Sequence, residues 1–148
     1  MTGLINKIIC IFSGIPNWIY TTLARFVIGL TFFNSGLTKV DDSYVILSKT
    51  KSLFKDVYFQ GLPLPEGLID ILAFKATYAE LILPILLWIG LGARFAAFGL
   101  LVMTAVIQIF VFPGSYVLHG LWAVALLTII VNGAGPLSLD YFIKKSRG

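Results

Sequence analysis

Four stretches of about twenty mostly apolar residues follow one another along the chain, near Trp18–Leu37, Leu68–Leu91, Ala93–Phe112 and Tyr116–Ala134. Each is long enough to cross a bilayer, and that recurrence constrains the fold more than any other feature. Composition agrees: of 148 residues 58% are hydrophobic and 12% charged, with mean hydropathy +0.93. A soluble domain of this length could not bury so much apolar surface. The expectation is an all-α integral membrane four-helix bundle, with residues 1–148 forming one domain. The net charge of +4 and pI near 9.3 come from lysines and arginines beside apolar runs. Their natural partners are membrane lipids rather than nucleic acid. Cys10 is the only cysteine, which rules out an internal disulfide and a C-x-x-C relay.

The connections are unequal. "IGLGA" (residues 89–93) and "FPGSY" (112–116) are tight Gly/Pro turns, predicting antiparallel hairpins between the second, third and fourth runs. The first connection is long. In it "SYVILSKTKSLFKDVYF" places Ile46, Leu53, Phe54 and Val57 near one helical face and Lys49, Lys51 and Lys55 elsewhere, as in an amphipathic helix lying on a membrane surface. "GLPLPEG" ends it. At the start, "LINKIICIFSGIP" has a short apolar run but no A-x-A-like cleavage site, and reads as an interfacial lead-in. Basic residues in the short connections place both termini in the cytoplasm and Tyr44–Phe59 on the outer face.

Charged residues inside apolar runs are costly, so they face the bundle interior or water and find partners. A rise of ~1.5 Å per residue gives each a height above the inner face. Arg25 falls at about 10 Å and Glu80 at about 16 Å, which predicts a buried ion pair. Arg25, Gly29, Phe32, Gly36 and Lys39 share a face whose glycines admit a close neighbour. Asn34, Lys75, Gln108 and His119 fall together at about 22–24 Å, a polar layer with one residue from each run. Lys75, about 140° round its helix from Glu80, points to a different groove. Lys39 and Asp70, at about 31 Å, make an expected pair near the outer interface.

These residues also carry a likeness. Arg25 followed by "NSGLTK", Glu80 ahead of "LLWIGLGAR", and the closing "GAGPLSLD" resemble the DoxX family of small four-helix bacterial membrane proteins, over about Leu23 to Asp140. The resemblance implies a multi-pass protein of the bacterial inner membrane. It further implies a membrane subunit or accessory of a redox-linked assembly, with a redox protein as partner and a homo-oligomer as an available state. It assigns no reaction, and many family members have no known activity.

The side chains limit the chemistry. His119 is the only histidine, so a bis-histidine haem is excluded, and no metal site is indicated. "GLGARF" and "GAGPLS" follow no strand and complete no G-x-G-x-x-G, leaving helix-ending turns. No intrinsic cofactor follows from the sequence. A quinone is the ligand the polar layer can hold, since His119, Gln108, Lys75 and Tyr78 offer donors beside Phe32, Phe33 and Trp122. The alternative is a non-enzymatic scaffold in which the same polar groups bind helix to helix. The two readings separate on whether a cavity reaches these residues. In "SLDYF", Ser138 and Asp140 are expected to cap a short C-terminal helix.

Overall fold

A computed structural model describes residues 2–147. The order is α1 (Thr2–Ser13), α2 (Asn17–Leu37), α3 (Ser48–Leu53) running into a π-helical turn (Phe54–Tyr58), α4 (Glu66–Ile89), α5 (Ala93–Val106) running into a second π-helical turn (Ile107–Val111), α6 (Tyr116–Asn132) and α7 (Leu139–Ser146). The fold is all-α. Around one core α2 packs on α4 and α6, and α5 on the same two helices. Ile28, Phe32, Leu87, Leu100, Leu126 and Ile129 fill that core, with Ala93, Ala96 and Ala97 letting α5 approach closely.

The expectation of four membrane-spanning helices is corrected. Among the described residues two helices, Glu66–Ile89 and Ala93–Val111, are long and apolar enough to cross a membrane. The physical reasons differ for the other two. α6 has 17 residues and so a length of about 26 Å, short of a hydrocarbon core of about 30 Å. α2 has the length, with 21 residues, but Asn17, Thr21, Thr22, Arg25, Thr31, Asn34 and Ser35 dilute its apolarity.

Glycine makes the α4–α5 turn as tight as the sequence demands. Gly90 and Gly92 take left-handed φ of 69° and 57°, where an L side chain is strained. The connection after α2 departs from its sequence reading. Instead of resting on a membrane surface alone, it folds onto α4: Phe54 is buried with Ile69 and Ala73, while Val57 stays exposed. Lys55 donates to Glu66 at 2.6 Å, and Lys51 lies 3.8 Å from Asp70, stitching the segment along the exposed side of α4. The hydrogen bond to Glu66, with that carboxylate's charge, raises the affinity of Lys55 for its proton. α1 exposes Leu4, Ile5, Ile8, Ile9 and Phe12.

A candidate ligand cavity and two buried charges

Glu80 does not meet Arg25. Its carboxylate is paired with the Lys39 ammonium, and both residues are buried, at 4% and 8% exposure. The reason lies in how side chains lean on a helix. A helical side chain tilts toward its helix N-terminus. α2 and α4 run antiparallel, with Gly29 facing Trp88 and Gly36 facing Leu81 and Glu80. Lys39, just past the end of α2, therefore reaches back along it and donates to Ser35 Oγ at 2.9 Å. Glu80 leans toward the N-terminus of α4, which lies at that same end, and the two charges converge. Arg25 leans the opposite way.

The same geometry corrects the expected Lys39–Asp70 pair: Asp70 is exposed and its neighbour is Lys51. Gly36 makes the Lys39–Glu80 contact feasible, because a Cβ there would stand 2.8 Å from Leu81 Cδ2 and 3.2 Å from Glu80 Cβ. The Lys39 carbonyl also accepts from Thr50 Oγ1 at 2.9 Å and from the Leu47 N–H at 3.1 Å, anchoring the segment that follows.

Of the layer Asn34, Lys75, Gln108 and His119, the fold brings two members together. The Gln108 amide donates to the Pro113 carbonyl at 2.7 Å, which turns its oxygen toward His119 Nδ1 at 2.6 Å. An amide oxygen only accepts, so Nδ1 carries a proton, and in the neutral ring Nε2 then keeps its lone pair. Asn34 and Lys75 are exposed. Lys75 lines a separate groove with Lys51, Asp70 and Tyr78, on the side of α4 away from Glu80. Rise per residue sets height along each axis, whereas rotation about the axis separates these two from the others.

A cavity of about 320 Å³ lies between the Lys39–Glu80 pair and His119. That is within the size range of small-molecule sites, ~300–1,000 Å³. Its walls are mainly apolar: Phe54 and Phe59 from the folded-over connection, Met103, Val106, Ile107 and Phe112 from α5 and the turn after it, and Leu118 and Trp122 from α6. Ser35, Tyr58, Lys39, Glu80 and His119 supply the polar groups. The two π-helical turns meet over one side, with the Phe59 and Phe110 rings 6.5 Å apart. Burial, and then the nearby charge of Glu80, push the Tyr58 phenol up, so it stays a hydroxyl and a donor. The cavity thus offers a cation, a carboxylate, a phenol and an imidazole lone pair within an aromatic box. Gln108 contributes indirectly, by holding the histidine.

Sequence reading missed Ser35 and Tyr58 as lining residues, along with the phenylalanines of the connection. The available signal was the i, i+4 spacing of Ser35 and Lys39, which puts both on one helical face. No comparable signal announced Tyr58, since the folding-over of its segment is a long-range event.

Arg25 occupies a different setting. It is 1% exposed, and its Nη2 donates to the Leu137 carbonyl at 2.8 Å, while Nε and Nη1 have no protein partner among the described residues. Around it the C-terminal segment is sewn to the α4–α5 turn. Asp140 accepts from the N–H groups of Gly92 at 2.8 Å and Ala93 at 3.1 Å, and its own N–H donates to the Gly90 carbonyl at 2.9 Å. Ser138 caps α7, accepting from the Tyr141 N–H at 3.2 Å. Asp140, expected at the same task, caps α5 instead.

The model of the DoxX family matches residues 20–113, which include Arg25, Ser35, Gly36, Lys39, Glu80 and Arg94 and stop short of "GAGPLSLD". An uncharacterized protein of Haemophilus influenzae is 33% identical over 146 residues, covering 92% of this chain and 91% of its own length. No solved structure matches. With most of the cavity and the buried Lys39–Glu80 pair inside the matched region, the chain belongs to the DoxX family and is a bacterial inner membrane protein with at least two membrane-spanning helices.

Proposed function

We propose that this protein is a membrane subunit of a redox-linked assembly and that its cavity holds the head group of a quinone. The observation that carries the reading is the joining of a buried ion pair, a tautomer-fixed histidine and a free phenol to one aromatic-walled cavity. A quinone head is flat and apolar, with oxygens at opposite edges. Such a molecule gains most of its binding energy from ring burial and its orientation from a few polar groups. Lys39 and Tyr58 suit a carbonyl oxygen; Glu80 and the His119 lone pair suit a hydroxyl, so both redox states find partners. Both termini are cytoplasmic in this reading. With Lys39 buried in its pair, the exposed basic residues are five at the Arg94 end (Lys7, Arg94, Lys144, Lys145, Arg147) against three at the other (Lys49, Lys51, Lys55).

The test is a titration of the purified protein with a short-chain ubiquinone analogue, read by quenching of Trp122 beside His119. Saturable quenching is expected, weakened about tenfold in His119→Ala, the equivalent of about 1.4 kcal/mol. Absence of saturable binding by the wild type overturns the reading. A scaffold without a ligand is the second reading, favoured by the bonds that Lys39 makes through its carbonyl to Thr50 and Leu47.

A further inference from the structure

We propose a second site, independent of the cavity, for the phosphate of an anionic phospholipid. It lies in a groove of about 650 Å³ between the start of α5, the end of α6 and α7, where Arg94, Asn132, Tyr141 and Lys144 provide polar groups. Its level in the membrane follows from the two spans. One ends at Ile89 and the other begins at Ala93, so Arg94 stands at the boundary between apolar helix and water. Lipid phosphates lie at that boundary.

The charges in the groove are not balanced by the protein. Neither Arg94 nor Lys144 belongs to an ion pair among the described residues. The groove's carboxylate, Asp140, has both oxygens engaged by the Gly92 and Ala93 N–H groups. Arg94 gives one N–H to the Val131 carbonyl at 3.3 Å, passing beside Gly133, whose lack of a side chain leaves it room. That contact caps α6, yet it uses one of the five guanidinium donors and leaves Lys144 unexplained. Two cations from different elements therefore converge on a space whose one carboxylate is held by backbone N–H groups, leaving a net positive charge. A phospholipid suits it better than free phosphate, because Phe95 lines the groove at 84% exposure, placed to meet an acyl chain, and Phe142 stands 58% exposed beside Tyr141 on α7.

The experiment is native mass spectrometry of the full-length protein released from mild detergent, titrated with dioleoyl phosphatidylglycerol or dioleoyl phosphatidylcholine. The wild type is expected to retain phosphatidylglycerol preferentially. Lys144→Gln, at an exposed side chain without a bond to lose, should lower that affinity about fivefold, and Arg94→Gln/Lys144→Gln about 25-fold, from the usual contribution of a basic residue near anionic lipid. Lys7→Gln/Lys49→Gln removes the same charge elsewhere and should leave affinity unchanged. Equal retention of the two lipids by the wild type overturns the proposal, as does full retention by Lys144→Gln. An equal loss in the Lys7/Lys49 variant reduces the effect to net charge, and displacement of lipid by excess inorganic phosphate reassigns the groove to the free ion; either result also overturns it.

Discussion

Glu80 and Arg25 are both charged, both almost fully buried and both on helices of the same packed pair, yet the protein treats them in opposite ways. Glu80 has an opposite charge in contact and a cavity beside it. Arg25 has a backbone carbonyl for a partner and tightly packed chain around it, with Gly90 and Ser138 so near that a Cβ at Gly90 would stand 2.6 Å from Arg25 Nη1. A buried charge beside open space can meet a ligand, whereas one sealed by backbone holds elements together. The difference lies in the surroundings, because desolvation opposes both charges and only their neighbours differ.

The comparison breaks most readily at Glu80. Glu80→Gln leaves the Lys39 ammonium buried without its counter-charge and should lower unfolding free energy by about 3–5 kcal/mol, measured by chemical denaturation in detergent. Replacing both partners with Met should recover most of the loss, since paired burial can be exchanged for apolar packing. A double variant as unstable as the single one would mean that the site depends on the carboxylate for more than charge balance.

Gly36→Ala tests the approach that makes the pair possible. The added methyl must push Leu81 or Glu80 away, at a cost of about 1–3 kcal/mol. Ligand affinity should fall with it, because Lys39 and Glu80 separate. At the other end, Asp140→Ala removes the cap of α5 and should cost about 0.5–2 kcal/mol in the same assay without altering quinone titration. If quinone binding changes as much as stability does, the two ends are coupled and the division between them fails.

Arg25→Met should cost about 1 kcal/mol, as loss of the bond to the Leu137 carbonyl is offset by relief from burying an unpaired cation. A cost equal to that of Glu80→Gln would erase the contrast altogether. The smallest effect is expected at Lys55, an exposed residue whose proton affinity is raised by Glu66. A folded value raised above the unfolded one gives stability that is fully present below the unfolded value and lost as pH rises through the folded one. Lys55→Gln should therefore leave the melt at pH 7 within error, and any difference from wild type should shrink further in alkaline buffer.

Much of this was legible in the amino-acid order. Continuous apolar runs of about twenty residues point to helices, which satisfy their own backbone in lipid, and the tight Gly/Pro turns between them set neighbours antiparallel. Gly29 and Gly36 on one face marked where α4 approaches, as Trp88, Leu81 and Glu80 now show. Ser138 before "LDYF" marked the start of the last helix. Each of these is a local property, set by the covalent order and the helical repeat. Tertiary structure decided the rest. Which cation meets Glu80 depends on the lean of side chains across an antiparallel pair, and that lean carried Lys39 toward it and Arg25 away. Asn34 and Lys75 left the polar layer because height along a helix says nothing firm about rotation around it. The cavity, with Tyr58 and Phe54 among its walls, arose only when the connection after α2 folded onto α4 and met the turn that follows α5, joining segments about fifty residues apart in a way no local pattern records.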